Sequence, residues 1–209
     1  SSFFSCTTSN NYGGAIFFQN SNGQCVLDEL CGYDCYSTYA GYSYYQFAYI
    51  QVNNAASSKN YVNYSSIVRC VNGRSNSCYI LGLQYGKICC PSVNISMNKC
   101  QYYAVIGCWP FKDSNSVTCS LTFSSFTDNK ANGHTFFRLN REGAEYEIKS
   151  CNILRNTQVS SSNGIIYTSG NLKIENSCIL ENTATNIFYQ SSSYTITLSN
   201  CTVDKTSNN

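Results

Sequence analysis

Two families of short apolar segments interleave along this chain, and their spacing limits the fold more than any other feature. In the first, SSIVRC, VNISMN, LTFSSF, YEIKSCNI, LKIENSCI and ITLSNCTV each centre on an apolar residue followed by small polar residues or cysteine. Their centres, Ile67, Ile95, Phe123, Ile148, Ile174 and Leu198, recur at a loose but persistent period inside the range of solenoid repeats. The second family runs AIFFQN, FAYIQV, YILGLQ, AVIGCW, TFFRLN, GIIYTS and NIFYQS, centred on Phe17, Tyr49, Leu81, Ile106, Phe137, Ile166 and Phe188. Turn-rich stretches such as DNKANG and NTQVSSSNG separate the segments, and no window of useful length carries a 3.6-residue apolar period. Two short strands per repeat, without helices, suit one coil of a parallel β-solenoid, which buries one alternating face by stacking about 4.8 Å from the next coil. A β-sandwich also accommodates many short strands, but the recurrence of like segments favours the solenoid. The expectation is an all-β, cysteine-rich parallel β-helix of about seven rungs with almost no helix. Residues 1–209 form one domain in this reading, with a Cys- and Tyr-rich insertion around 25–62.

Composition narrows the function. Only 11% of residues are charged, against roughly 25% in ordinary soluble domains, while 26 Asn, 31 Ser and 15 Thr supply neutral polarity. These short side chains favour turns and sheet faces over helices. A net charge of +2 without a basic stripe excludes nucleic acid as the expected partner. The longest apolar stretch, YYAVIGCWPF, is about half of the roughly 20 residues that span a bilayer, so no membrane-spanning segment is expected. Fourteen cysteines point to an oxidising compartment, hence an extracellular or cell-surface location with disulfides and some buried thiols. Zinc would need paired knuckles or Cys/His sets; CGYDC, the Cys89-Cys90 pair and the single His134 do not supply them. No metal or other cofactor is expected. Sequons at Asn63, Asn94 and Asn200 are the glycosylation candidates.

The tetrapeptides GGAI (Gly13–Ile16) and FTDN (Phe126–Asn129), with degenerate copies ILRN, ILEN and NGII, resemble the GGA(I/L/V) and FxxN motifs of chlamydial polymorphic outer-membrane proteins and their trichomonad surface relatives. The resemblance covers residues 1–20 and 115–209. It implies a right-handed, pectin-lyase-like parallel β-helix serving as an adhesive or structural rod. Asn129, Asn156 and Asn182 recur at almost equal intervals, so stacked coils would align them as a structural amide ladder. Cys70, Cys151 and Cys201 each follow a strand centre by three residues and Cys178 by four, in a slot held elsewhere by Phe126. Such a slot is interior, where cysteine acts as a small hydrophobe or bridges to the adjacent coil.

Carbohydrate hydrolysis on such a scaffold needs two or three carboxylates converging on one groove. Asp28, Asp34, Asp113, Asp128 and Asp204 stand singly. The nearest approach to a cluster is Glu145 and Glu147, on one side of a strand, with Asp128 one coil earlier. No catalytic residues are assigned, and the chain is not read as an enzyme. Gly13-Gly14 is not a phosphate loop, because AIFFQN after it is a strand pattern rather than a helix N-terminus. His134 lacks a GxSxG elbow, and only Thr195-Ile196-Thr197 suits a flat Thr ladder. The Tyr-rich stretch 32–50 supplies the binding candidates Tyr33, Tyr36, Tyr39 and Tyr42, since tyrosines give amphipathic contact area at low entropy cost. Uncapped solenoid ends predict self-association or membership of a longer rod. The expected function is an extracellular or cell-surface structural and adhesive module, assembling end to end into a filament, with host or surface glycans or proteins as partners. The alternative is a carbohydrate-binding or carbohydrate-cleaving protein on the same scaffold.

Overall fold

Short runs in which alternate residues are apolar form strands that pair in parallel, and the strands recur in a fixed cycle. A computed structural model describes residues 1–9, 12–39, 43–70, 77–100, 105–133, 137–159, 164–191 and 193–204. The chain is a parallel β-solenoid with three long sheets, one of eight strands and two of seven, and the described residues contain no helix. The first sheet runs from Ser2–Phe4 through Cys31–Tyr33, Ser66–Val68, Asn94–Ser96, Ser125–Thr127, Asn152–Leu154 and Cys178–Leu180 to Thr202–Val203. The second runs from Ile16–Gln19 to Phe188–Gln190, and the third from Cys25–Asp28 to Ile196–Ser199. The chain visits them in the order first, second, third, and returns to the first one coil further on. Ser2, Cys31, Ser66, Asn94, Ser125, Asn152, Cys178 and Thr202 are successive partners along the first sheet, so the coils differ in length. The longest, from Cys31 to Ser66, contains the Tyr-rich stretch.

The corners on either side of the first sheet set the register. Every third-sheet strand is followed by one residue with positive φ: Glu29, Tyr64, Ser92, Phe123, Ser150, Asn176 and Asn200. Every first-sheet strand but the last is followed by another: Ser5, Asp34, Arg69, Met97, Asp128, Arg155 and Glu181. None of these is glycine, although the left-handed region costs an ordinary residue about 1–2 kcal/mol. The offset is visible in the backbone, where the N–H of every corner residue from Ser5 to Asn176 donates to a carbonyl of the next coil, and that of Glu181 donates to the Asp204 carboxylate. Examples are Tyr64 N to Pro91 O at 3.0 Å and Phe123 N to Lys149 O at 2.9 Å. The sheets therefore continue their hydrogen bonding through the bend.

Inward columns fill the interior. In the first sheet Ile67, Ile95, Phe126, Ile153 and Ile179 align and are buried. In the third, Cys90, Leu121, Ile148, Ile174 and Leu198 align. In the second, Ile16, Ala48, Leu81, Ile106, Phe137, Ile166 and Phe188 align. Phe126 meets Phe137 edge to face across the interior, with centroids 4.7 Å apart. These alignments correct the repeat read from sequence. Its first family joins Ile67 and Ile95 of the first sheet to Ile148, Ile174 and Leu198 of the third. Phe123 belongs to neither column: it is a corner residue, φ 53°, and 66% exposed. The second family is in register from Leu81 onward, but Ile16 and Ala48, not Phe17 and Tyr49, align with Leu81.

Asparagine and cysteine share one ladder just beyond the first sheet. Asn98, Asn129, Asn156 and Asn182 occupy equivalent positions and are buried. Each Oδ1 accepts the backbone N–H of the preceding coil: Asn129 from Asn98 (3.0 Å), Asn156 from Asn129 (3.1 Å) and Asn182 from Asn156 (3.0 Å). Each Nδ2 donates to the first-sheet carbonyl one coil back, as Asn129 to Ile95 O at 2.8 Å and Asn182 to Ile153 O at 2.7 Å. Toward the N-terminus the same slot holds Cys70, Cys35 and Cys6, and Asn98 Oδ1 accepts the Cys70 N–H at 2.7 Å. A second ladder precedes the first sheet, where Ser65, Ser124 and Ser177 accept the N–H of Leu30, Val93 and Cys151.

The expected disulfides are not formed: all 13 described cysteines are free. Cys70 and Cys151 are buried, but in different slots, one after and one before the first sheet. Cys201 follows Cys151 in the second ladder two coils on, with Ser177 between them. Cys178 points outward, aligned with Asn152 and Thr202. Thiols in the ladders donate instead to carbonyls two residues back, as Cys151 to Lys149 O (3.3 Å) and Cys201 to Ser199 O (3.2 Å).

Candidate functional site on the outer face of the second sheet

The four tyrosines singled out in the sequence do not form one described surface. Tyr33 lies on the outer face of the first sheet, 38% exposed, with the Arg69 guanidinium 5.7 Å from its ring centroid. Tyr36 is half-buried on the short strand Tyr36–Ser37, Tyr39 is exposed just beyond it, and Tyr42 lies outside the described residues. Of the sequons, Asn63 ends a third-sheet strand and is half-buried; its partner Ser65 is buried and donates to Asn63 O at 2.6 Å. Asn94 starts a first-sheet strand and donates to Ser66 Oγ at 3.1 Å. Asn200 is an exposed corner residue donating to Asn176 Oδ1 at 2.8 Å.

The carboxylates named above are dispersed. Asp128 stands at a first-sheet corner, held by Arg155 Nε at 2.8 Å and Nη2 at 2.9 Å, and the guanidinium keeps its carboxyl below the usual range. Glu145 lies on the third sheet and accepts from Asn171 Nδ2 at 2.7 Å. A three-carboxylate face is thereby replaced by residues on two different sides of the coil. Among the described residues no group of three or more His, Cys, Asp or Glu side chains is placed to hold a metal ion. His134 lies outside the described residues.

A different aromatic assembly occupies the outer face of the second sheet. Strand alternation turns Phe17, Tyr49, Gly82, Gly107, Arg138, Tyr167 and Tyr189 outward in one aligned column. At the two glycines the rings of neighbouring residues fold over the sheet. A Cβ on Gly82 would sit 1.9 Å from the Tyr45 ring, and one on Gly107 2.6 Å from Trp109 and 2.8 Å from Tyr79. Tyr45, Tyr49 and Tyr79 bury one another, with centroids 4.5 Å apart for Tyr45–Tyr49 and 5.4 Å for Tyr45–Tyr79. Trp109 packs edge-on to Tyr79 at 5.3 Å.

Polar groups tie the rings together. The Tyr49 hydroxyl donates to Gln51 Oε1 at 2.6 Å, Gln84 Nε2 donates to the Tyr45 hydroxyl at 3.4 Å, and Arg138 Nη1 donates to the Tyr79 hydroxyl at 3.0 Å. Burial pushes the Tyr45 phenol well up and the Tyr49 phenol to about 12, so both stay neutral hydrogen-bonding groups at physiological pH. Tyr12 and Phe17 at one end are exposed, while Trp109, Tyr167 and Tyr189 are half-exposed, the last two stacked at 5.8 Å. The buried rings form a rigid base, and the exposed rings, amides and guanidinium form a contact strip above it.

Sequence reasoning found Tyr45 only as part of a Tyr-rich stretch and Tyr49 there and as a strand centre. The signal that identifies the strip is the alignment of QFAYIQ, YILGLQ and AVIGCW, which puts glycine outward beside large rings in successive coils. The entrance to this sheet is the Gly13-Gly14 pair. Gly13 has φ 58°, and a Cβ on Gly14 would lie 2.2 Å from Gln46 O, so neither position admits a side chain. Their N–H groups donate to Tyr45 O and Gln46 O at 3.0 and 2.7 Å, which starts the pairing that Ile16 continues. No helix among the described residues is long and apolar enough to cross a membrane. No family model matches the chain, and no curated protein or solved structure matches it significantly.

Proposed function

We propose that the protein is an extracellular or cell-surface structural and adhesive module, a right-handed β-helix of the pectin-lyase-like type that meets its partners through the outer face of its second sheet. The observation that carries this reading is the aromatic strip from Phe17 to Tyr189, rigidified by buried Tyr45, Tyr49 and Tyr79 beneath it. Preordered aromatic side chains with hydroxyl and amide partners lose little entropy on contact, as interfaces require. Right-handed crossovers are the rule for parallel strands. The outermost strands pair on one side only among the described residues, so a further coil or a second copy would extend the sheets into a longer rod. Proteins or glycans at a host or cell surface are the partners of this face, and Trp109 beside Gln84 favours a glycan among them, since rings and amides recognise sugar CH faces and hydroxyls. The dispersed carboxylates support a role without catalysis.

The test is surface binding by purified protein to cells and to an immobilised glycan panel. Replacing Trp109, Tyr167 and Tyr189 with alanine together is expected to weaken binding at least tenfold without moving the thermal midpoint by more than a few degrees. Unchanged binding would remove this face from the function. Retention of the native protein inside the cell would remove the adhesive reading altogether.

A further inference from the structure

We propose that Cys6, Cys35 and Cys70 form a covalent-modification site, a column of stacked thiols in which a small disulfide such as glutathione disulfide oxidises two neighbours to a bridge between adjacent coils. The site is independent of the adhesive reading and of its compartment.

Register places the three residues directly above one another. Phe4 pairs with Tyr33 and Tyr33 with Val68, two residues before each cysteine, and Thr7 pairs with Tyr36 one residue after Cys6 and Cys35. Adjacent parallel strands lie about 4.8 Å apart, inside the Cα range that a disulfide spans. The Cys35 thiol is within hydrogen-bonding reach of Cys6, and the Cys70 thiol within reach of Cys35. Their present acceptors are carbonyls, Tyr33 O for Cys35 at 3.3 Å and Val68 O for Cys70 at 3.4 Å, which a bridged sulfur can release without orphaning a strand hydrogen bond. The column lies at a corner rather than within a sheet, so the side chains can close the last few tenths of an ångström that bridging needs.

Access distinguishes this column from the other thiols. Cys6 is partly exposed, while Cys35 and Cys70 are fully buried. Burial raises the Cys35 thiol and pushes Cys70 to about 12, which leaves Cys6 as the thiol that meets an oxidant first. Cys108 and Cys119 also touch, but both are sealed in the core. Outward Cys31, Cys89 and Cys178 align with Ser2 and Ser66, Tyr61 and Ser120, and Asn152 and Thr202, so none has a thiol neighbour in its column.

The chemistry balances in two steps. Cys6 thiolate attacks one sulfur of the oxidant, forming a mixed disulfide and expelling one thiolate. Cys35 thiolate then attacks Cys6 Sγ and expels the second. Two protein thiols are oxidised, the oxidant is reduced to two thiols, and these take up both protons. Cys70 stands in line behind Cys35, the arrangement thiol–disulfide exchange requires. Its attack on Cys35 Sγ frees Cys6 and moves the bridge one coil inward with no further oxidation.

The experiment treats the reduced full-length protein with glutathione disulfide, quenches with acid, alkylates and maps linked peptides by mass spectrometry. Expected are Cys6–Cys35 and Cys35–Cys70 links, loss of two free thiols, and a rise in thermal midpoint that reductant reverses. Cys35→Ser should abolish both links and leave glutathione on Cys6. Cys6→Ser should slow Cys35–Cys70 formation at least tenfold. Glutathione confined to Cys31, Cys89 and Cys178, no reaction at all, or a mixed disulfide on Cys6 that never resolves in the native sequence would each overturn the proposal. The native-sequence map needs no variant to fold.

Discussion

Asn129 shows how much one side chain can hold in this molecule. It is buried, accepts from Asn98 and donates to Ile95 O in the preceding coil, and donates to Asn156 Oδ1 in the following one. Asn129→Ala leaves a buried N–H and a buried carbonyl without partners and is expected to cost about 3–5 kcal/mol in denaturant unfolding. Asn129→Cys should cost roughly half as much, because the same slot accepts cysteine at Cys35 and Cys70 without disturbing the strands. The opposite sign is expected at Phe123, an exposed corner residue with φ 53° and no core contact to lose. Phe123→Gly should raise stability by about 1 kcal/mol, by removing the left-handed penalty net of glycine's entropy cost. A loss at that position would show that the ring contributes more on the surface than its backbone strain takes away.

At the scale of strands and ladders, the even spacing of Asn129, Asn156 and Asn182 was readable because one residue type holds the slot in consecutive coils. The slot became illegible where cysteine replaces asparagine, since the two share no obvious chemistry until their backbone partners are seen. The conflation of two columns has a geometric origin. An inward residue of the third sheet and the next inward residue of the first, such as Ile148 and Ile153, lie five residues apart around a left-handed corner. A loose repeat period cannot tell them apart, whereas positive φ can. The aromatic strip was hidden for a related reason, since its members come from different coils and its enabling residues, Gly82 and Gly107, carry no side chain. Gly107→Ala would drive a methyl into the rings of Tyr79 and Trp109. Near-ultraviolet circular dichroism should lose intensity, with a stability loss of about 1–3 kcal/mol; an unchanged aromatic spectrum would contradict the packing described.

Over the whole molecule, buried acids that stay protonated make the fold sensitive to alkali. Cys70 is pushed to about 12 and Cys151 to about 11 by burial, against 9.0 for an ordinary thiol. Their contribution is fully present below pH 9. It falls as unfolded thiols ionise and is gone once pH passes the folded values, so stability should decline from about pH 9 toward pH 12. For Cys70 alone the loss is on the order of 4 kcal/mol. Thermal midpoints measured under reducing conditions between pH 7 and 11 would check this, with Cys70→Ser flattening the slope. A profile unchanged across that window would mean that these thiols are hydrated in the native state.

The corner between the third and first sheets has two residues in every coil, whereas the stretch between the second and third ranges from Gln84–Lys87 to Gln51–Lys59. Length is thus a free variable on one side of the molecule and a constant on the other. Added residues between 113 and 116 can bulge into solvent and leave every column intact. A single residue added between 149 and 152 would slip the first-sheet strand that follows by one position, turning Ile153 from inside to outside. The solenoid therefore behaves like a thread cut on a screw: decoration can accumulate along one flank indefinitely, but the pitch is fixed at a single edge, and a chain of this kind can diversify only by growing outward from it.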